Sequence, residues 1–247
     1  AMPRRTAIEN AAEAVFEEKK IEEMDVVFLM DRFGYAKTID VGAYERNKEA
    51  ADTENRYILR CKNTDKICIF TDRGQMHLLK VLDLPYGKFR DKGTPIDNLS
   101  NYNSSEENLV YIAPMADVRQ KKLLFGTKTA MLKLVSGAEF DVAKRTTAAT
   151  KLNEGDMVLF VHPVAESDHI VMQSAKDMFL RIEAGTIPEK KKGAVGVRGM
   201  RLASGDQLEA IYLLREEDEP VSVRIKDKEV VLNRLHVANR DTKGVKR

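Results

Sequence analysis

The residues of this chain that point to chemistry are basic, and five of them recur at one place in a repeated pattern. The pattern is an apolar run, a short polar turn and a second apolar run, with a basic residue just before the closing apolar position. The five are Lys37, Lys80, Lys133, Arg181 and Arg234. Lys and Arg neutralise phosphates and release counterions from a polyanion. A cation repeated in this way predicts a row of phosphate contacts.

Further basic residues lie in the segments after these patterns, mixed with glycine and other small residues. Such segments let backbone N–H groups and side chains approach phosphates closely. The candidate phosphate contacts in them are Lys88, Arg90, Lys92, Lys144, Arg145, Lys190, Lys191, Lys192, Arg198 and Lys243. Few aromatic, Asn or Gln side chains accompany them, so we expect contacts with the nucleic-acid backbone and little sequence preference.

The total charge does not by itself indicate a nucleic-acid partner. Lys and Arg number 41 and Asp and Glu 39, a net charge of +2. The distribution is uneven, because residues 119–201 carry 15 basic and 9 acidic groups and residues 202–220 carry 1 and 6. A basic face is compatible with this alternation. So is a mixed solvated surface, and a single lysine on an edge strand often serves only to prevent aggregation.

The sequence has no recognisable catalytic or metal-binding motif. A phosphate-binding loop, a dinucleotide fingerprint and a His-Glu-x-x-His helix are all missing. The four histidines, His77, His162, His169 and His236, form no constellation, and we interpret them as structural or surface residues. Three aspartates in turns, Asp72, Asp156 and Asp206, are candidates for a propeller-type hydrolase, although turn aspartates usually cap the backbone.

The elements that would position the cations are five β-hairpins. Each pattern combines β-branched and aromatic residues with a polar turn, which is typical of a hairpin. Gly34 and Gly74 are expected to have positive φ in the first two turns. The hairpins start 41 to 56 residues apart and cover residues 26–39, 67–81, 123–135, 170–182 and 221–235.

A further strand recurs between the hairpins, after a short polar turn. It is clearest at residues 106–112, 154–160 and 204–211, with a weaker copy at residues 52–59. Hairpin, loop and strand together make a unit of the size of a four-stranded propeller blade. We therefore predict an all-β protein of about five blades. The fifth is cut short and needs a strand from elsewhere, with the N-terminal end of the array as the natural donor.

The chain divides into two unequal parts. Residues 5–24 have helical apolar spacing, so we predict an N-terminal linker or helix over residues 1–23 and one domain over residues 24–247. Apolar runs reach only about five residues, against the roughly 20 that span a bilayer. The N-terminus also lacks the features of a secretory signal. Two cysteines, Cys61 and Cys68, fit a reducing cytoplasm.

Residues 24–247 resemble the C-terminal domain of the A subunit of bacterial type IIA topoisomerases, the family of DNA gyrase and topoisomerase IV. The matching segments are 25–29 (DVVFL) with 34–37 (GYAK) and Tyr44, 67–74 (ICIFTDRG) with 80–85 (KVLDLP), 92–99 (KGTPIDNL), and 192–202 before Gly205 and Asp206. The resemblance implies a β-pinwheel, a propeller-like disc whose blades exchange strands. It also implies a basic rim that bends double-stranded DNA and presents it for strand passage.

The resemblance further implies the partners and cofactors of the whole enzyme. These are the N-terminal cleavage core of the same subunit, together with an ATPase B subunit in an A2B2 complex, in the bacterial cytoplasm at the nucleoid. ATP, magnesium and the catalytic tyrosine belong to the other domains. This domain is therefore expected to need no cofactor and to bind DNA without cutting it.

One departure from the gyrase pattern concerns the loop after the first hairpin, which in gyrase carries an Arg/Gly-rich box that supports tight DNA wrapping. Here residues 44–55 contain two cations and four anions. The sequence therefore looks more like a topoisomerase IV A subunit, or a gyrase-like paralogue with weakened wrapping. The alternatives are a propeller-type protein-interaction scaffold with an incidental basic rim and a propeller hydrolase.

Overall fold

The computed structural model describes residues 20–247, and the elements below are those of this part of the chain. The strands are β1 (Asp25–Met30), β2 (Tyr35–Asp40), β3 (Tyr57–Lys62), β4 (Lys66–Thr71), β5 (Gln75–Lys80), β6 (Tyr86–Gly87), β7 (Thr94–Pro95), β8 (Leu109–Pro114), β9 (Lys122–Thr127), β10 (Met131–Ser136), β11 (Thr146–Ala148), β12 (Val158–Pro163), β13 (His169–Ser174), β14 (Met178–Glu183), β15 (Val197–Arg198), β16 (Leu208–Leu214), β17 (Ser222–Ile225), β18 (Lys228–Val231) and β19 (Val245–Lys246). The helices are α1 (Val41–Arg46), α2 (Lys48–Glu54), α3 (Ile96–Leu99) and α4 (Met115–Val118). The helix predicted for residues 5–24 lies outside the described residues except for 20–24, which have no regular secondary structure.

Four hairpins form the centres of four antiparallel sheets, which we number blades 1 to 4. These hairpins are β1–β2, β4–β5, β9–β10 and β13–β14. A third strand pairs with the first strand of each hairpin, namely β3, β8, β12 and β16. These third strands contact one another in chain order, so they form the inner side of the array.

The outer edge of each blade is closed by a strand that belongs to the following repeat. β6 and β7 come after the second hairpin but pair with β2 of blade 1. In the same way β11, β15 and β19 complete blades 2, 3 and 4. We call the stretches that contain these strands the crossover segments, residues 85–95, 141–148, 188–198 and 236–246. The exchange of strands confirms the predicted β-pinwheel for these four blades.

The hairpin strands are apolar on both faces because each blade packs between two neighbours. In β1, β4, β9 and β13, five of the six residues are buried. Separate apolar clusters lie between blades 1 and 2, 2 and 3, and 3 and 4. In the middle cluster Phe70 packs edge-on against Phe125 and Phe140, with ring centroids 5.9 and 5.0 Å apart. Such aromatic pairs add about 0.5–1.5 kcal/mol each to the free energy of burial.

Both ends of the row of blades are covered by other parts of the chain. Helices α1 and α2 place Tyr44 and Ala51 over Val27 and Leu29 of blade 1. The terminal hairpin β17–β18 and the turn after it cover Val171 and Phe179 of blade 4. Within residues 20–247 no hydrogen bond, ion pair or apolar cluster joins blade 1 to blade 4 or to the terminal hairpin. Stacked repeats need such covers because an end blade otherwise exposes an apolar face.

The fifth repeat forms only the two-stranded hairpin β17–β18. Within residues 20–247 the predicted fifth blade therefore has two strands and not four. Within residues 20–247 no strand, from the N-terminal end or elsewhere, pairs with this hairpin. The residues that follow it instead complete blade 4, where Val245 and Lys246 pair with β14.

The hairpin turns confirm the conformation expected of their glycines. Gly34 and Gly74 have φ values of 85° and 73°. Ala130, Asp177 and Lys226 adopt positive φ, 65°, 58° and 53°, in the other three turns. Non-glycine residues adopt this conformation at a cost of about 1–2 kcal/mol. The fold of the hairpin therefore does not depend on glycine in every copy.

Candidate nucleic-acid interface

The crossover segments show which strand positions are equivalent between blades. A glycine of the crossover lies directly against the strand backbone in three blades, Gly93 on Ala36, Gly196 on Leu132 and Gly244 on Phe179. In blade 2, Thr147 pairs with Met76 as Thr94 pairs with Ala36 in blade 1. The residues that follow Ala36, Met76, Leu132 and Phe179 are therefore equivalent, and they are Lys37, His77, Lys133 and Leu180.

The predicted ring of five equivalent hairpin cations is therefore wrong. Only Lys37 and Lys133 share a position. Arg181 is one residue beyond it and Lys80 three beyond it, whereas Arg234 lies in the turn after β18. Side chains alternate between the two faces of a strand, so a shift of one residue moves a cation to the opposite face.

Lys133 holds a crossover segment and does not face solvent. Its side chain is buried, and Nζ donates to the backbone oxygens of Lys191, Lys192 and Ala194 at 3.0, 3.1 and 2.7 Å. Burial lowers the pKa of the ammonium group to about 8. The prediction that Lys133 contacts a phosphate is therefore wrong, because its three N–H groups already have acceptors.

Lys37 holds the crossover segment of blade 1 in the same way, whereas Arg181 holds the turn after β18. Lys37 Nζ donates to the backbone oxygens of Phe89 and Asp91, and burial lowers its pKa. Arg181 Nη1 donates to the backbone oxygen of Asn233 at 2.7 Å. Both side chains are half-buried, and their role as phosphate contacts stays a prediction.

Lys192 differs from its neighbours in the basic run 190–192. It is half-buried, and Nζ lies 3.2 Å from both the Glu139 backbone oxygen and Thr147 Oγ1. Lys190 and Lys191 are exposed. The run therefore divides into one side chain that ties two crossover segments together and two that face solvent.

Eleven of the predicted contacts are exposed to solvent, and nine of these lie in the crossover segments. Their role in binding DNA stays a prediction. They are Lys80, Lys88, Arg90, Lys92, Lys144, Arg145, Lys190, Lys191, Arg198, Arg234 and Lys243, of which only Lys80 and Arg234 lie outside the crossover segments.

Successive crossover segments, with the residues that leave them, are hydrogen-bonded to one another. Between the first and second, Arg145 Nη2 donates to the Leu99 oxygen at 3.0 Å. Between the second and third, Lys192 reaches Thr147. Between the third and fourth, the Arg201 N–H donates to the Thr242 oxygen at 2.9 Å. The four segments therefore form one continuous surface, which we call the basic belt.

The basic belt concentrates the positive charge of the chain. Its four segments contain twelve Lys and Arg residues and four Asp and Glu residues, a net charge of +8, whereas the whole chain has +2. Two of the twelve, Arg240 and Lys246, were not among the predicted contacts. The recurrence of Gly93 and Gly244 after Lys92 and Lys243 could have aligned these segments and indicated both residues.

The candidates for a hydrolase have structural roles instead. Asp72 Oδ1 accepts from the Asn108 N–H at 3.0 Å and Asp156 Oδ1 from the Thr129 N–H at 3.1 Å. Asp206 Oδ1 accepts from the Gln207 N–H at 2.9 Å. These bonds confirm that the three aspartates cap turns. Within residues 20–247 no cluster of His, Cys, Asp or Glu has the makings of a metal site, and no helix is long and apolar enough to cross a membrane.

The segment in the place of the gyrase Arg/Gly box is helical and internally paired. Tyr44 is buried against blade 1 and its hydroxyl donates to Asp52 at 2.7 Å. Lys48 forms an ion pair with Asp52 at 2.6 Å. Glu45 pairs with Arg60. One of the two cations in residues 44–55 is therefore already neutralised.

The fold defines a class, the β-pinwheels, in which blades exchange their outer strands. Comparison with known proteins agrees with this assignment. Residues 121–165 and 168–215 match a family described as DNA gyrase C-terminal domain, beta-propeller. The fold is similar to a solved C-terminal domain of DNA topoisomerase IV, with a TM-score of 0.80, 22% identity and coverage of 91% of this chain and 73% of that one. The fold is also similar to a solved C-terminal domain of DNA gyrase A. The TM-score is 0.60 and the identity 16%, with coverage of 90% of this chain and 76% of that one.

Curated relatives of this chain are A subunits of DNA gyrase. The A subunit of DNA gyrase from Lawsonia intracellularis is 28% identical over 98% of this chain and 32% of its own length. The corresponding Escherichia coli protein is 26% identical over 86% of this chain and 26% of its own length. These matches support the resemblance recognised from the sequence, to the C-terminal domain of the A subunit of bacterial type IIA topoisomerases. The chain spans about a third or less of these relatives.

Proposed function

We propose that residues 24–247 are a non-catalytic domain that binds and bends double-stranded DNA and positions the transported segment for a type IIA topoisomerase. The observation that carries this proposal is the basic belt, in which four equivalent segments join into one surface of net charge +8. A curved row of cations suits a polyanion that bends along it, because each phosphate contact releases counterions.

The belt favours contacts with the DNA backbone. Its exposed groups are mostly Lys and Arg on short loops with glycine, which suit phosphate oxygens better than base edges. We therefore expect affinity that depends strongly on salt and only weakly on sequence.

The rest of the proposal concerns the whole protein. We infer that the domain works with an N-terminal cleavage core of the same subunit, together with an ATPase B subunit, and that these parts hold the catalytic tyrosine, magnesium and ATP. The bacterial cytoplasm, at the nucleoid, is the proposed location. Since residues 44–55 lack the Arg/Gly box, we propose an activity closer to topoisomerase IV than to gyrase.

The test is the salt dependence of DNA binding, measured by fluorescence anisotropy on a short duplex. Replacing both Lys190 and Lys191 with Ala should reduce the slope of log affinity against log salt by up to about 0.9 per lost contact. Lys192 is left in place because it ties two crossover segments together.

Lys121→Ala is the matched control, because Lys121 is exposed and lies outside the belt. It should leave the slope unchanged. An equal effect of both variants would show that binding follows net charge and not the belt. If the unaltered protein fails to bind at low salt, the DNA proposal falls and the interaction scaffold remains.

A further inference from the structure

His77 is a buried polar residue that the proposed function does not yet use. It lies in β5 at the position that Lys37 and Lys133 occupy in blades 1 and 3. Those two lysines donate to backbone oxygens of their crossover segments. His77 therefore occupies in blade 2 the position from which the two lysines hold their crossover segments in blades 1 and 3.

The imidazole of His77 joins a carboxylate to the crossover segment. Nε2 lies 3.0 Å from both carboxylate oxygens of Glu107, which is also buried. Nδ1 lies 2.8 Å from Thr146 Oγ1, and Asn101 Nδ2 donates to the same oxygen at 2.9 Å. Nε2 can donate to Glu107, and the hydrogen bond at Nδ1 can form in either direction, because the Thr146 hydroxyl has one donor and two acceptor positions, of which Asn101 uses one acceptor position.

The length of the crossover segment explains why blade 2 uses histidine. Ten residues separate the turn after the hairpin from the paired crossover residue in blade 1, from Asp83 to Thr94. Only six separate Phe140 from Thr147 in blade 2. The shorter segment lacks counterparts of the residues whose backbone oxygens accept from Lys37 and Lys133. In blade 2 the short, rigid side chain of His77 therefore contacts a hydroxyl, whereas the long side chains of Lys37 and Lys133 contact backbone oxygens.

We propose that His77, fixed by Glu107, is a positioning residue that holds the second crossover segment in place through Thr146. Lys144 and Arg145 immediately precede Thr146 and are exposed. The bond therefore sets the place of two cations of the basic belt. This last step rests on the proposed DNA binding, whereas the anchoring of the segment does not.

The first test replaces Thr146 and leaves His77 and Glu107 intact. Thr146→Val keeps the shape of the side chain and removes the hydroxyl, and Thr146→Ser keeps the hydroxyl. Hydrogen exchange of the amides of residues 142–148 should become roughly tenfold faster in Thr146→Val, because the hydrogen bonds of the hydroxyl with His77 and Asn101 are lost, and Thr146→Ser should restore slow exchange. Equal exchange in Thr146→Val and the unaltered protein would overturn the proposal.

Asn101→Ala separates the two bonds to the same hydroxyl. It removes the donor on the other side of Thr146 and leaves the imidazole in contact. Its exchange rates should stay closer to those of the unaltered protein than to those of Thr146→Val. If the exchange rates of Asn101→Ala instead lie closer to those of Thr146→Val, Asn101 anchors the segment and the proposed role of His77 is overturned.

The second test connects the anchor to the cations by a double-mutant cycle on DNA affinity. His77→Ala should lower the affinity roughly threefold to tenfold, but should have little further effect once Lys144 and Arg145 are both Ala. If His77→Ala lowers the DNA affinity by the same factor with and without Lys144 and Arg145, His77 does not position these two cations. If the unaltered protein does not bind DNA, the proposed function fails, while the exchange experiment still decides whether His77 anchors the segment.

Discussion

At the scale of single residues, a cation in a strand buried on both faces is an anchor and not a contact. Lys133 stands between Leu132 and Leu134 in a strand whose apolar residues are buried on both sides. The sequence alone shows this apolar surrounding, so burial of Lys133 was predictable. Its acceptors were not, because they lie 58 to 61 residues later in a segment that crosses back from the next repeat.

Replacing Lys133 with Met should destabilise the protein. The backbone oxygens of Lys191, Lys192 and Ala194 would lose their hydrogen bonds from Lys133, and a hydrogen bond from a charged group contributes about 1.5–3 kcal/mol. The free energy of unfolding, measured in denaturant at neutral pH, should fall by that order. Lys121→Met, at an exposed site, is the control and should change it little.

The same variant should change the pH dependence of stability. Burial lowers the pKa of Lys133 to about 8, while in the unfolded chain it returns to about 10.4. Between these values the unfolded chain binds a proton that the folded protein has released, so the contribution of Lys133 to the free energy of unfolding rises with pH. The difference between the unaltered protein and Lys133→Met should therefore widen from pH 7 to pH 10. A difference that narrows would contradict the lowered pKa.

At the scale of elements, local pattern predicted the hairpins and the third strands but not their partners. Four of the five predicted hairpins are centres of blades, because β-branched runs and turn residues are local signals. The crossover strands are only two or three residues long and pair across about 60 residues, so no periodicity indicates them. Ten of the fifteen candidate cations were predicted in the crossover segments, but the strand pairing that holds these segments on the blades was not.

Gly196→Ala should loosen the third crossover segment. A methyl group there would lie 2.3 Å from the backbone oxygen of Leu132, so the segment must move away from blade 3. Displacement by overpacking costs about 1–3 kcal/mol. We expect a lower melting temperature and a weaker dependence of DNA binding on salt, because Lys190 and Lys191 belong to the same segment.

Gly193→Ala provides the control within this segment. A methyl group at Gly193 would meet no atom within 4 Å. This variant should keep the melting temperature and the salt dependence of the unaltered protein. If both variants behave alike, the close approach of Gly196 does not hold the segment.

At the scale of the whole molecule, the covers at both ends bear on how DNA can follow the belt. Helices α1 and α2 occupy the end face of blade 1, and the terminal hairpin occupies that of blade 4. The belt thus follows the outer edges of four blades from end to end. The segment that would extend it at the first end contributes the ion pair of Lys48 with Asp52 in place of an Arg/Gly box.

This arrangement predicts bending of DNA without a wrap of fixed hand. The domain would be titrated onto nicked circular plasmid, the nick sealed with ligase, and the topoisomers separated on a gel after removal of the protein. We expect salt-sensitive binding and an unchanged linking-number distribution, because the four crossover segments supply cations only along one edge. A progressive shift of the distribution with added protein would contradict this and assign the domain the wrapping role of gyrase. Replacing Glu49 and Glu54 with Arg extends the belt over α1 and α2. If these helices lie on the path of the DNA, this variant should shift the linking-number distribution, and if they do not, the distribution should stay unchanged.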